Sequence, residues 1–305
     1  MKAVRFTEYG GTDVLQIVDV ERPVVGPKQV LVQVKATGIN PGEASIRSGA
    51  LAARYPTKFP SGEGSDLAGV IAEVGNEVSG FQRGDEVIAF SEERSAHAEF
   101  VAVPAERLVA KPSRVSWDVA GSLFVVGTTA YAAVRAIGLR ADDTVVVSGA
   151  AGGVGSIAVQ LAKRIGAKVI GIAGEANHNW LTGKGVIPVS YGHELQDRIR
   201  EAAGGRVSAF IDTFGADYVD LAIAMGVAPD RIDTIINFAA VEKYKIKSEG
   251  NAAAANVQVL GELAAMLDRG ELEIPIAKVF PLAQVRDAYR LLELRHTHGK
   301  IVLQP

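Results

Sequence analysis

The chain has 305 residues, 48% of them hydrophobic, with 32 basic and 35 acidic residues giving a formal net charge of −3. That length suffices for two domains with buried cores, since one compact unit usually spans ~100–200 residues. The charge balance leaves no basic footprint for nucleic acid or an anionic membrane, and the lack of cysteine excludes disulfides and thiolate metal centres.

The opening stretch, MKAVRFTEYGG, lacks the apolar core of a secretory leader. The first hundred residues then read as short strands separated by Gly and Pro: Lys2 to Phe6, Val14 to Val20, Val30 to Lys35, Leu67 to Val74, Glu86 to Phe90 and Phe100 to Val103. From Ser116, a candidate N-cap, the pattern turns helical, with a break expected near Gly127 and a second helix ending at Gly138. The apolar run Val119 to Val134 within it is too short, and too interrupted by Gly121, Ser122, Gly127, Thr128 and Thr129, to span a bilayer. A cytoplasmic location is the expectation. Strand candidates Val145 to Val147, Val169 to Ala173, Ile187 to Val189, Ala209 to Asp212 and Thr234 to Phe238 then alternate with helices or polar turns. That alternation predicts a parallel sheet covered on both faces. A helix over Val257 to Leu267, a strand at Ile276 to Phe280, a helix near Gln284 to Leu294 and a strand at Lys300 to Leu303 close the chain, and these last pieces are expected to return to the first lobe.

One segment carries a chemical signature. Thr144 to Val147 reads as a buried strand, and Val154, Ile157, Ala158, Leu161, Ala162 and Ile165 recur at helical spacing until Gly166 can cap the end. Between them lies Ala150-x-Gly152-x-x-Gly155, a dinucleotide-binding fingerprint with alanine in its first slot. Gly152 allows the backbone to approach a pyrophosphate, and Gly155 allows helix and strand to pack closely. The first-turn amides around Ala151, Gly152, Gly153 and Val154 face the anion.

With that motif placed, the chain resembles the medium-chain dehydrogenase/reductase superfamily, specifically its zinc-free quinone oxidoreductase-like branch. The resemblance rests on VKATGINPGEASIRSG (34–49), GSDLAGVIAEVG (64–75), GDEVIAF (84–90), AEFVAVPAERLVAKP (98–112), VGTTAY (126–131), SGAAGGVGS and GKIVL (299–303). It implies a doubly wound Rossmann sheet (123–269) inserted into a GroES-like β-barrel catalytic domain built from both chain ends (1–122 and 270–305). It also implies a cleft for nicotinamide and substrate, and a homodimer. At the positions where zinc-dependent relatives carry Cys, Gly-His-Glu and Cys, this sequence offers Asn40, Ser65 with Asp66, and Val125. The cysteine-rich structural zinc lobe is also missing. Zinc prefers thiolate and imidazole in a tetrahedral shell, so zinc-dependent alcohol oxidation is disfavoured.

The resemblance puts Asn40 near the substrate carbonyl, where its amide is expected to donate to a developing oxyanion; a loop asparagine ahead of Pro41 is the plainer alternative. Thr129 aligns with a threonine that approaches the nicotinamide carboxamide, a helix-entry hydroxyl being the alternative, and Tyr55 lies where some relatives present an active-site tyrosine, although an ordinary loop aromatic is the plainer reading. Protonation from Tyr55 or from water is left open. Asp66 and Glu43 read as turn or capping residues, with remnants of an ancestral metal shell as the alternative. His296 and His298 read as a solvated helix end, and His97 as a surface residue. For cofactor choice, Ala173 and Gly174 occupy the place where an acid would repel a 2′-phosphate, and Tyr191 and Arg295 align with phosphate-contacting residues, whereas the adjacent Glu175 favours NAD. Phe238 completes the cofactor set. The expectation is an NADPH-dependent, zinc-free reductase of quinones or other α,β-unsaturated carbonyls, with NAD as the lesser cofactor and small apolar conjugated carbonyls as partners. A nucleotide-binding redox sensor or structural protein without turnover is the second reading.

Overall fold

The computed structural model describes residues 1–305. By packing, the chain divides into two compact units, 1–125 with 256–271 and 275–305, and 126–255 with 272–274.

The first unit begins with β1 (Lys2–Phe6), β2 (Gln16–Asp19) and the long β3 (Gln29–Gly38), followed by helix α1 (Pro41–Arg47). Next come β4 (Ser61–Gly62), β5 (Asp66–Val74), β6 (Glu86–Phe90), β7 (Phe100–Pro104), β8 (Leu108–Ala110) and the short helix α2 (Trp117–Ala120). β1 is central to a three-stranded sheet between β2 and β4, all antiparallel. The larger sheet pairs β3 antiparallel with both β5 and β7. Val30, Val32 and Val34 of β3 are buried against Leu67, Ile71, Val87 and Val101, and Leu31 between them is buried as well. Val14 is an exception to the expected strands: it ends a 3-10 turn, and β2 starts two residues later.

Ser116 caps α2 through Val119 N–H (3.4 Å). The helical run does not break at Gly127, however, because α3 (Leu123–Ala136) passes straight through it. The interruption falls at Gly121 and Ser122, where a Cβ on Gly121 would run into the Ala36 carbonyl of β3. Close approach of two backbones therefore decides the break, and the buried Leu123, Phe124, Ala130 and Ala133 outweigh the modest cost of Gly127 in mid-helix.

The second unit holds β9 (Thr144–Val147), α4 (Gly153–Ile165), β10 (Lys168–Ile172), α5 (His178–Gly183), β11 (Ile187–Val189), α6 (Leu195–Ala203), β12 (Ala209–Asp212), α7 (Tyr218–Ala224), β13 (Ile232–Thr234), α8 (Phe238–Tyr244) and α9 (Asn251–Ala254). The five strands run parallel in the order β11-β10-β9-β12-β13, a Rossmann arrangement in which the chain reverses direction beside β9. One face of the sheet buries Val146, Ile170, Phe210 and Ile232 against Ile199, Val219 and Ala222 of the flanking helices. The fifth strand lies earlier than Thr234 to Phe238. Thr234 Oγ1 accepts the amides of Ile236 and Asn237, and Asn237 Oδ1 caps α8 through Ala240 N–H (3.1 Å), so the backbone turns out of the sheet and Phe238 opens a helix.

The chain ends with α10 (Val257–Asp268), β14 (Ile276–Pro281), α11 (Val285–Glu293) and β15 (Lys300–Gln304). α10 was expected within the nucleotide-binding segment, yet it packs with the first unit, where Arg114 pairs with Asp268 (3.1 Å) and Gly261 faces Val109 of β8. β15 enters between β14 and β3, antiparallel to β3, and so returns the carboxyl end to the first lobe. No helix is long and apolar enough to cross a membrane.

A Cβ on Gly155 would strike the Gly149 carbonyl oxygen, which is backbone and cannot move aside. Gly155→Ala is therefore expected to push α4 off β9 and to cost about 1–3 kcal/mol, read as a lowered denaturation midpoint.

Candidate active site

The nucleotide fingerprint lies in the second unit, at the end of β9. Its turn is stitched to both neighbouring strands: Ala150 N–H donates to Ile172 O (3.0 Å), Ser148 Oγ to Asp212 Oδ1 (2.7 Å) and Thr213 Oγ1 to Ser148 O (2.7 Å). Gly149 takes the left-handed φ of +57° that a glycine accepts without strain. Gly152 is the N-cap of α4 and brings no side chain to the helix end. Ser156 N–H makes a bond within the helix to Gly152 O (2.9 Å), and the amides of Gly153, Val154 and Gly155 precede it. This is the positive end of a thirteen-residue helix with no acidic residue in its first turn, and its chemistry fits a diphosphate. Ala150 and Ala151 are buried beneath the turn.

Asp212 holds this turn in shape and was missed from sequence. Its Oδ1 takes Ser148 Oγ and the amides of Phe214 and Gly215, while its Oδ2 takes Thr234 Oγ1 (2.8 Å), so four donors satisfy one fully buried carboxyl. The available signal was an acid ending an apolar strand, FIDTFG.

The remaining cofactor candidates are spread more widely. Gly174 follows β10 without a side chain, and the Tyr191 hydroxyl lies 3.5 Å from where its Cβ would be. Arg198 holds the loop that presents Tyr191 by donating to Ser190 O (3.0 and 3.2 Å) and His193 O. Glu175 is exposed, and Phe238 is half exposed at the start of α8. Thr129 is buried in α3; its neighbour Thr128 accepts Asn251 Nδ2 at 2.7 Å. Arg295 belongs to the first unit, at φ +58° just after α11. Tyr55, half exposed, ends a turn closed by its amide on Leu51 O (2.8 Å). The loop beyond it is anchored by Phe59, edge-on to Tyr9 and Phe6, and by Thr57 N–H on the Tyr9 hydroxyl (3.1 Å).

Asn40 sits in a buried polar cluster of the first unit. The sequence Asn-Pro-Gly-Glu starts α1 with a capping box in which Asn40 N–H donates to Glu43 Oε2 (2.9 Å). Lys300, carried in by β15, donates to Asn40 Oδ1 (2.5 Å) and Ile39 O (2.7 Å) and lies 3.5 Å from Asp66 Oδ2. Asn40 Nδ2 donates to Asp66 Oδ2 (2.9 Å) and Glu43 Oε1 (3.2 Å). A lysine on one side and two carboxylates on the other fix which way the amide faces. Both amide hydrogens are thus engaged inside the protein, and the side chain is only 3% exposed. The direct oxyanion donor expected at Asn40 is instead a buried connector.

The positions aligned with zinc ligands in relatives converge here. Val125 N–H donates to Asp66 Oδ1 (2.7 Å), and Ser65 N–H to Glu43 Oε1 (2.8 Å). The donors at hand are carboxylates already bonded to amides and an amide oxygen occupied by an ammonium group, a set that fits zinc poorly. Burial pushes the Asp66 carboxyl up and the Lys300 ammonium down, each opposed by the other's charge.

Next to this cluster, Arg47 donates to Glu63 Oε1 (2.8 Å) and Glu293 Oε1 (3.2 Å) and lies over the ring of Tyr289, whose hydroxyl donates to Glu43 Oε2 (3.0 Å). Glu63 Oε2 has no hydrogen-bond partner. Burial, reinforced by the nearby Glu43 and only partly offset by Arg47, pushes the Glu63 carboxyl up to about 7. His97 is fully buried here rather than at the surface. Its main chain joins Glu63 O to Val4 N–H, which turns the imidazole inward to Gly38 O (3.3 Å), and burial pushes it down to about 4.

Removing the ammonium in Lys300→Met leaves Asp66 buried without its cation and is expected to cost about 3–5 kcal/mol, much of it recovered in the Asp66→Asn/Lys300→Met double variant, as read by urea denaturation. Glu63 keeps its proton in the fold to about pH 7 and, in the unfolded chain, loses it near its ordinary 4.5. Its stabilising contribution is complete below 4.5, falls as pH rises toward 7 and is flat beyond. Glu63→Gln should accordingly show a smaller loss of urea midpoint between pH 5 and 7 than the wild type.

The chain matches the family model for the alcohol dehydrogenase GroES-like domain over residues 26–113 and that for zinc-binding dehydrogenase over 186–303. It is 29% identical to a quinone oxidoreductase of Pseudomonas aeruginosa, across 100% of this chain and 99% of the relative. Among solved structures, the quinone oxidoreductase of Pseudomonas syringae pv. tomato DC3000 is 30% identical with a TM-score of 0.87, covering 100% of this chain and 99% of that one. The Escherichia coli quinone oxidoreductase complexed with NADPH is 25% identical with a TM-score of 0.86, and all of both chains is covered. The chain belongs to the medium-chain dehydrogenase/reductase superfamily, in the quinone oxidoreductase-like branch of its NAD(P)H-dependent oxidoreductases.

Proposed function

We propose that the protein is a cytoplasmic, homodimeric reductase that uses NADPH, without zinc, to reduce quinones or other α,β-unsaturated carbonyls. The observation that carries this reading is the α4 N-terminus: a side-chain-free helix end above a turn braced by Asp212. When bound, the nicotinamide supplies a hydride. The residues of this chain bind, orient and balance charge around it. The amides of Gly153, Val154 and Gly155 hold the diphosphate, and Thr129 meets the carboxamide side of the ring. Gly174 and Tyr191 leave room for a 2′-phosphate, with Arg295 as its cationic partner, and Phe238 contributes an apolar contact. Preference for NADPH follows from the missing acid after β10, against which the exposed Glu175 is the one opposing charge.

Zinc independence is supported by the chemistry of the Asn40 cluster, where a dication would have to displace the Lys300 ammonium from Asn40 Oδ1 and Ile39 O. Asn40 acts as a connector that orients Asp66, Glu43 and Lys300 rather than as a donor to substrate. Charge on the substrate oxygen then falls to Thr129, backbone amides and a proton delivered by Tyr55 or water.

The protein is expected to oxidise NADPH faster than NADH in the presence of a simple 1,4-quinone or an acyclic enone, with rates unchanged by a chelator. Gly152→Asp sets a carboxylate in the mouth of the α4 helix end and should weaken NADPH binding by about tenfold or more, ~1.4 kcal/mol, measured by fluorescence titration. Tight nucleotide binding with no turnover across the panel would instead support the redox-sensor reading, and loss of turnover to the chelator would overturn zinc independence.

A further inference from the structure

We propose that Asp233 is a positioning residue for the nicotinamide side of this site: its buried carboxyl pins the backbone of Glu249 and so seats the Glu249–Asn251 segment against Thr128 and Thr129. The role of Thr129 in this statement rests on the function proposed above; the pinning itself does not.

Asp233 is the middle residue of β13, the last full strand of the parallel sheet, and is completely buried. The chain returns beside it after α8. Lys247 N–H donates to Ile232 O (3.0 Å) and Thr234 N–H to Lys247 O (3.1 Å), forming a single parallel bridge. Beyond Lys247 the backbone pairing stops, and the side chain of Asp233 takes over by accepting Glu249 N–H on Oδ1 at 2.7 Å. The next residue, Gly250, lies against Thr129, since a Cβ there would come within 3.9 Å of the Thr129 methyl. Asn251 then starts α9 and donates from Nδ2 to Thr128 Oγ1 at 2.7 Å. Three consecutive residues are therefore fixed at one end by Asp233 and at the other by Thr128, and they cover the helix turn that carries Thr129.

A neutral acceptor at position 233 would make the same bond. What the carboxyl adds is a dependence on protons. Its Oδ2 is buried with no hydrogen-bond partner, and the charged groups acting on it, Glu249 and Asp212, are both acidic. Lys247 is exposed. Burial, with those two carboxylates and against the Glu249 amide, pushes Asp233 up to about 7. The seated segment therefore retains a proton that an opened, hydrated segment would release near the ordinary 3.8. Seating is most favourable below that value, weakens as pH rises toward 7 and levels off above it.

The test has two arms. In nucleotide-free wild-type protein, protection of the Glu249 amide against hydrogen exchange, corrected for intrinsic rate, should fall by roughly tenfold between pH 5.5 and 7.5. In titrations with NADPH, the wild type should bind more tightly at pH 5.5 than at 7.5. Asp233→Asn, which keeps an acceptor but cannot ionise, should bind with nearly the same affinity at both, comparison with wild type cancelling the nucleotide's own titration. Asn251→Ala should weaken binding at both pH values. Protection that does not change with pH in the wild type, or a pH slope that persists undiminished in Asp233→Asn, overturns the proposal; the first needs no variant to fold. pH-dependent protection in a protein that does not bind NADPH overturns the assigned cofactor and supports the pinning.

Discussion

The contact of the Lys300 ammonium with Asn40 Oδ1, Ile39 O and Asp66 is the constraint around which the first unit is organised. An ammonium and a carboxylate taken out of water are costly unless each finds a partner and their remaining donors and acceptors are met. Here the partners come from opposite ends of the chain, Lys300 from the last strand and Asn40 and Asp66 from the first seventy residues. The carboxyl-terminal strand must insert beside β3 for either charge to be satisfied, which is a physical reason for one lobe to be built from both termini. Gly38 belongs to the same constraint: a Cβ there would lie 3.0 Å from Asp66 Oδ2 and 3.1 Å from the Lys300 side chain.

The two units solve the problem of buried polarity differently. In the first, the buried Glu43, Glu63 and Asp66 lie among Arg47, which also reaches the half-exposed Glu293, and Lys300, and burial pushes the Glu63 carboxyl up to about 7. In the second, Asp212 is surrounded by hydroxyls and amides, with no cation bonded to it.

How much of this was legible in the sequence follows from the range of the interactions involved. The strand, glycine turn and helix from Thr144 to Gly166 are local, governed by periodicity and by what a Cβ would strike, and they stand as read. The helix break and the fifth Rossmann strand were misplaced because tertiary contacts decided them: Gly121 against the Ala36 carbonyl, and Thr234 and Asn237 turning the chain with their side chains. The buried cluster was largely illegible. His97 lies in a polar stretch, and only its main-chain bonds to Val4 and Glu63 turn the ring inward. Lys300 sits at the head of an apolar strand as many solvated lysines do, and its partners are about 260 positions away. For Asn40, nothing local reveals that both its amide hydrogens are engaged by Glu43 and Asp66.

That last point narrows the chemistry the site can support. If Asn40 and Lys300 are committed to the interior, no strong electrophile from this cluster remains to meet charge developing on a substrate oxygen. Reduction of a simple ketone would place that charge on an alkoxide, for which relatives with a metal use a Lewis acid. Hydride addition to a quinone yields instead a phenolate-type oxygen, whose conjugate acid has a pKa near ~10, as a tyrosine does. Addition to an enone spreads the charge over a conjugated enolate. Acceptors of these kinds carry much of the stabilisation in their own π-systems, and the protein then has chiefly to align the two partners at reacting distance and exclude water. On the function proposed above, a first unit whose most polar residues are hydrogen-bonded to one another is better matched to conjugated acceptors than to isolated carbonyls.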